Sequence, residues 1–455
     1  MSIIKTFISI HITVSLTYNI YQRNTIINSI LIIFVVYCKN FTFLQFYCIL
    51  AANRSDNMIP RKEYLENLIS FKDKRIIKVV TGIRRCGKST LFELYQDHLL
   101  QNGITKEQII SINLEDGEYM DIDDSKTLFN FVNIRLIPDR MNYIFLDEVQ
   151  RVRDFQKAVD ALHIKKNCDV YITGSNAHLL SGELATLLSG RYIEIKMLPL
   201  SFKEYVSAHA EGSSAEKLYQ DYIYNSSFPY VLELNRPKDI RQYLDGIYNS
   251  ILVKDIITLR RIADVEMLKS VASFLFDNIG NMVSGKKITD TMTSSGRKIS
   301  VHTVENYLDA LTESFIFYKA GRYDIKGKQY LKTGDKYYAA DIGLRYTVLG
   351  SKRADMGHIL ENIVYLELLR RGYEVHIGKV GPAEVDFIAI GEEGKEYYQV
   401  AYTVIDADGK TLKRELTPLN SINDHNPKYL LTMDYGPLIS HNGIKQIYVL
   451  DWLLR

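Results

Sequence analysis

Residues 82–90 read GIRRCGKST, a spacing that fixes Gly82, Gly87, Lys88 and a hydroxyl at Ser89. Glycines at these points let backbone N–H groups turn inward, and a helix starting near Gly87 aims its positive end at the same spot. Such a turn cradles phosphate oxygens, with Lys88 placed to bridge the terminal groups and Ser89 to hold Mg2+. The apolar run 76–81 predicts a buried strand before the turn, and residues 90–100 predict a helix after it. A glycine turn beside an ordinary surface lysine is the weaker account. The whole loop, Gly82, Ile83, Arg84, Arg85, Cys86, Gly87, Lys88, Ser89 and Thr90, is therefore the expected nucleotide-binding set.

Further along, YIFLDE ends at Glu148. Asp147 closes an apolar strand and can hold Mg2+ through water, while Glu148 reaches the attacking water; hydrolysis, beyond mere binding, is expected. Capping of the next helix is the alternative use of this acidic pair. Apolar strands at 76–81, 109–113, 143–146, 170–173 and 192–197 alternate with amphipathic helices, which predicts an α/β fold: a parallel sheet with helices on both faces. Ligands in such sheets bind beyond the carboxyl ends of the strands, where Gly82, Asp147 and Gly174 all fall. Asn176 is the first candidate to touch the γ-phosphate or orient water, and Ser175 the second; helix capping explains either equally well. Arg191, in the turn-like stretch 189–191, is a candidate to neutralise transition-state charge from its own subunit or a neighbour, with a surface ion pair as the duller reading.

The chain has 455 residues, 24% charged and 46% apolar, with a net charge of +2, which suits several globular domains with ordinary cores. Cys38, Cys48, Cys86 and Cys168 show no metal-ligand spacing and no disulfide density, so a reducing cytoplasm is expected. Residues 1–57 stand apart. Their apolar runs, 30–38 and 41–50, fall short of the roughly 18 residues a spanning helix needs. The reading preferred here is a start at Met58, with a membrane anchor over 1–57 as the alternative.

Residues 58–205 form the expected ATPase core and 206–265 a helical lid or linker. Residues 266–345 have the order of a winged helix: helical stretches at 266–279, 288–294 and 301–313, then strands at 315–320 and 336–339. Ser300 would cap the third, recognition helix. Lys286, Lys287, Arg297 and Lys298 cluster at the helix connections, where phosphate contacts arise, so DNA is an expected partner, with a protein partner as the alternative. Residues 210–214 and 321–335 read as exposed connections.

GIRRCGKST, FLDEVQ, YITGSN, LLSGRY and LPLSFKEY together resemble the bacterial and archaeal AAA-type ATPases that carry a C-terminal restriction-endonuclease-like domain of unknown function. The resemblance runs from about Met58 to the end. It implies ATP in preference to GTP, places Lys88, Ser89, Asp147 and Glu148 on the family's motifs, and sets Arg191 on its glycine-arginine pair. Ser226 and Ser227 stand where relatives commonly have glycines. In the expected endonuclease-like domain, 346–455, Glu361 and Asp386 match two metal ligands, but Gln399, Val400 and Ala401 replace the acid, spacer and lysine. Cleavage is not expected unless Lys413 or Lys428 substitutes, and the domain reads instead as a binding platform, including for a protein partner. The function expected is a Mg2+-dependent ATPase switch acting on DNA, with oligomerisation open. A nucleotide-gated protein-interaction module and an ATP-dependent nuclease are the alternatives.

Overall fold

The computed structural model describes residues 58–177, 188, 190–209, 212–350 and 355–455; the apolar runs of 1–57 lie outside them. Two sheets organise the chain. The first has β1 (Ile77–Thr81), β2 (Ile109–Asn113), β3 (Asn142–Asp147), β4 (Cys168–Gly174) and β5 (Tyr192–Lys196), in the order β2-β3-β4-β1-β5. Every pairing is parallel.

Alternation along the strands explains the layers. Val80, Tyr143, Phe145 and Tyr171 share one core with Leu91, Phe92, Tyr95 and Leu99 of α1 (Lys88–Gln101). Ile77, Val79, Ile144, Leu146 and Ile172 point the other way, against Leu128 and Val132 of α2 (Ser125–Asn133) and Val159 and Leu162 of α3 (Phe155–Ile164). Both faces are thus covered, and the polar edge of the strands remains for chemistry.

Helices α4 (Phe202–Ser207), α5 (Ala215–Asn225) and α6 (Pro237–Ser250) follow. Ser201 opens α4 with a capping box to Glu204, its hydroxyl accepting from the Glu204 N–H at 3.0 Å. At the end of α5, Ser226 sits at φ 108°, ψ 156°, a region natural to glycine. Asp341 steadies the turn, accepting from the N–H and hydroxyl of Ser227, both at 2.7 Å.

The second sheet has nine strands. Three helices precede its hairpin: α7 (Val265–Asp277), α8 (Gly285–Ser294) and α9 (Val301–Glu313). A two-residue strand, β6 (Met282–Val283), pairs antiparallel with β8 (Gln329–Ala339), which pairs with β7 (Phe317–Asp324). The expected exposed connection at 321–335 is mostly this ladder, with Arg322 opposite Leu331 and Asp324 opposite Gln329, because long-range pairing overrides the local turn residues. Of the other expected connection, 212–214 are exposed and 210–211 lie outside the described residues.

The boundary expected at 345/346 does not divide the sheet. β7 pairs in parallel with β9 (Glu374–Val380), and the sheet continues through β10 (Ala383–Gly391), β11 (Gly394–Ala401), β12 (Lys428–Thr432), β14 (Ile444–Tyr448) and β13 (Ile439–His441). One hydrophobic core runs from Tyr64 to Leu453. Among the described residues no helix is long and apolar enough to cross a membrane.

Candidate functional site

The loop 82–89 closes over the end of β1. A Cβ on Gly82, whose φ is 152°, would lie 2.1 Å from the Met197 carbonyl oxygen, so only glycine lets the adjoining chain pass this closely. Gly87, at φ 104°, turns the chain into α1. The buried Arg61 braces the loop from outside, donating to the carbonyls of Cys86 at 2.8 Å and Leu198 at 2.6 Å and to Glu204 at 2.9 Å. Arg61 carried no motif, and nothing in the sequence marked it.

Lys88 is buried at the start of α1, with its ammonium 3.1 Å from the Gly82 carbonyl and 3.5 Å from Glu148 Oε1. Burial opposes its charge, but Cys86, Glu148 and Asp147 together raise its pKa. Strand β4 lies between β1 and β3 and ties the acidic pair in place. Thr173 donates its hydroxyl to Asp147 and accepts the Glu148 N–H at 2.8 Å. Glu148 adopts a left-handed φ of 54° directly after the last residue of β3. Burial pushes the Asp147 carboxyl up, and hydrogen bonds from Ser89 and Thr173 partly offset that push.

A hydroxyl beside a carboxylate suits Mg2+, which takes few protein ligands and fills its shell with water and phosphate oxygens. Ser89 and Asp147, hydrogen-bonded to each other at this edge, present that pair of ligand types. Cys86 is buried, which pushes its thiol up, and Thr90 is half-buried in α1. Ile83 is buried, and Arg85 is exposed at φ 69°.

Beyond β4, Ser175 and Asn176 are both buried at the same edge. Gln150 links Ser175 to Glu148, donating to Glu148 at 2.6 Å and to Ser175 at 3.3 Å. Asn176 donates to the backbone carbonyl of Asp255 at 3.0 Å. Arg84 turns to the same residue: its Nε and Nη2 meet the two Asp255 carboxylate oxygens at 3.1 and 3.0 Å, and its Nη1 meets Glu115 at 2.9 Å. Burial opposes this guanidinium's charge, but the two acids hold it firmly cationic; Glu115, despite its own burial, is drawn down to about 2 by Arg151 and Arg84.

Arg191 is not brought to this cluster. It precedes β5, where Tyr192 pairs with Ile77 and only Lys196 reaches the level of Thr81. At about 3.3 Å per residue, that places Arg191 roughly 16 Å from the loop edge. Its guanidinium is exposed and bonds Asp160 at 2.5 Å, so the role within its own subunit is withdrawn and the surface ion pair is what the structure contains.

The C-terminal sheet gathers a second buried cluster. Glu361, on α11 (Met356–Arg370, counting the helix Ile342–Leu349 as α10), accepts from Lys336 at 2.9 Å and from Tyr338 at 2.6 Å. Lys336 also pairs with Glu384 at 2.8 Å. Burial and the neighbouring Glu361 push Asp386 well above the usual carboxylate range, and its carboxylate accepts the Val400 N–H at 2.8 Å. Gln399 turns to Glu415 at 2.9 Å. The lysine among these acids is thus Lys336 of β8, which no spacing flagged. Lys413 is exposed, and Lys428 is engaged by the Ile422 carbonyl at 2.6 Å.

Two family models match: an AAA domain over residues 74–206, and a domain of unknown function, DUF8612, over residues 216–355. An uncharacterised Haemophilus influenzae protein is 44% identical over 405 residues, covering 88% of this chain and 100% of the relative. An uncharacterised Methanocaldococcus jannaschii protein is 31% identical over 345 residues, covering 72% of this chain and 74% of the relative. Among solved structures, a Walker-type ATPase of Pyrococcus abyssi has a TM-score of 0.46 at 15% identity, covering 64% of this chain and 96% of that one. With its phosphate loop, acidic pair and parallel sheet, the chain belongs to the family of the Haemophilus and Methanocaldococcus proteins and carries an AAA-type P-loop ATPase domain.

Proposed function

We propose that the chain is a Mg2+-dependent ATPase whose turnover acts as a switch on DNA. The observation that carries the catalytic half is the convergence of three segments on one sheet edge: Lys88 lies 3.5 Å from Glu148, and Thr173 bridges Asp147 and the Glu148 backbone. Lys88 and the loop N–H groups bind the phosphates. Ser89 and Asp147 would hold Mg2+, which when bound supplies charge neutralisation to the phosphate oxygens. Glu148 takes the proton of the attacking water, and Asn176 or Ser175 orients that water. A role for Arg191 remains only from a neighbouring subunit.

The DNA half rests on α7, α8 and α9 with the β6-β8-β7 sheet, an order that supports a winged-helix reading. Ser300 caps α9 as expected, accepting from Thr303 N at 3.0 Å. The exposed face of α9, however, presents Glu305 and Asp309 and no lysine or arginine. Phosphate contacts are therefore assigned to Lys286, Lys287 and Lys298 beside it and to Lys326 and Lys328 at the hairpin tip. Arg297 is already tied to Ser270 at 2.5 Å. The C-terminal half of the nine-stranded sheet acts as a binding platform of restriction-endonuclease-like kind. No cleavage is proposed, because Gln399 and Ala401 stand where the third acid and the lysine would be, and Gln399 is turned to Glu415 at 2.9 Å.

Replacing both Lys287 and Lys298 with Ala is expected to weaken duplex binding and to flatten its dependence on log salt by about two units, roughly 0.9 per lost phosphate contact. Binding isotherms across a salt series measure this. Absent or salt-insensitive binding by the unaltered chain would favour the protein-interaction reading instead.

A further inference from the structure

One acid in the nucleotide site comes from neither sheet edge nor motif. Asp255 belongs to a seven-residue π-helical segment, Ile251–Ile257, that continues α6 and runs on into the turn Thr258–Arg260. π-helical turns are rare and recur at functional sites. This one offers two handles to the site: the buried carboxylate, paired with both Nε and Nη2 of Arg84, and the backbone carbonyl, bonded by Asn176. Among the described residues Arg84 is the ion-pair partner of Asp255, whereas Glu115 also has Arg151. Ser175 Oγ lies 3.5 Å from the same carboxylate, and through Gln150 and Glu148 the contacts lead on to Lys88.

A phosphate brought to this loop places new negative charge where a carboxylate already stands and offers Arg84 a stronger bidentate partner. We infer that Asp255 is a latch: its carboxylate and the terminal phosphate of Mg-ATP compete for Arg84, so nucleotide binding releases the π-helical segment. The inference rests on the ATP reading above and adds its regulation. The released segment leads directly to the proposed DNA-binding unit. Arg260, at its end, pairs with Glu313 at the end of α9, and Arg261 at φ 51° turns the chain toward the Asp264 cap of α7. Nucleotide occupancy at the loop is thereby coupled to the placement of α7 and α9.

Two measurements on the full chain test the latch. In equilibrium binding of Mg-ATP, Asp255→Asn keeps the side-chain size but removes the competing charge, and is expected to tighten Kd about tenfold, because an apparent affinity is reduced by the fraction held closed. In the unaltered chain, backbone amide exchange over residues 251–258 is expected to speed up when Mg-ATP is added. A folded Asp255→Asn chain with unchanged or weaker affinity overturns the latch, as does exchange that is unchanged or slowed. The second measurement decides the matter even where the variant misfolds. Failure of the unaltered chain to bind Mg-ATP sinks the ATP reading itself and the latch with it, whereas tight binding with slowed exchange sinks the latch alone.

Discussion

Glu148→Gln is expected to bind Mg-ATP at least as tightly as the unaltered chain while releasing phosphate about 100-fold to 10,000-fold more slowly, the range associated with losing a general base. The side chain is nearly buried, its Oε1 is 3.5 Å from Lys88, and its Oε2 accepts from Gln150 at 2.6 Å. Its backbone N–H is fixed by Thr173, so the substitution leaves the turn and its shape in place. What disappears is a negative charge and a proton acceptor. Loss of the charge favours an anionic ligand; loss of the acceptor stalls attack by water. Radiolabelled ATP retention and phosphate release, measured on the same preparation, separate the two effects. Unchanged release removes Glu148 from the role given to it.

Asp169→Ala is expected to cost about 3 to 5 kcal/mol of stability, the usual result of stranding one member of a buried ion pair. Lys78 and Asp169 pair within the ATPase sheet with almost no exposure. Asp169 also accepts from Asp73 N at 2.9 Å and from the Tyr171 hydroxyl at 2.8 Å, and Lys78 donates to the Lys74 carbonyl at 2.9 Å. Burial pushes the Asp169 carboxyl up and the Lys78 ammonium down, so each charge depends on the other. Removing the carboxylate leaves Lys78 with one carbonyl and the Tyr171 hydroxyl with only the Tyr95 hydroxyl, at 3.0 Å. Over a unit that spans Ile59–Arg455, a melting curve should fall by roughly 4 to 6 °C. The paired change Lys78→Met with Asp169→Leu should recover much of the loss, because no charge is then stranded. A single variant as stable as the unaltered chain contradicts the assigned structural role.

Much of the ATPase half was legible because its signals are local. Strand β2 occupies the predicted residues 109–113, and outside that half α9 occupies the predicted 301–313, since apolar period and a capping serine each lie within one short window. Lys88, Asp147 and Glu148 converge as their motifs imply, because a parallel sheet places the ends of β1 and β3 on one edge. What escaped was long-range. Asp255 meets Arg84 across 171 positions, Arg61 reaches Leu198 across 137, and neither pair has a spacing that could be scanned for. Lys336 opens the expected strand 336–339, but its meeting with Glu361 across 25 positions has no spacing that marks it; only the earlier part of β8 read as an exposed connection, because its pairing partner, not its own composition, makes it a strand. Arg191 was misplaced for the converse reason: its turn resembles a catalytic one locally, but strand direction carries it to the far edge.

The most direct test of the central claim is phosphate release from Mg-ATP by the full chain and by its Lys88→Ala variant. The arrangement at the end of β1 requires steady release by the first and background release by the second, because no other ammonium reaches the Gly82 and Ile83 carbonyls and Glu148 together among the described residues. Equal release by both chains would contradict it.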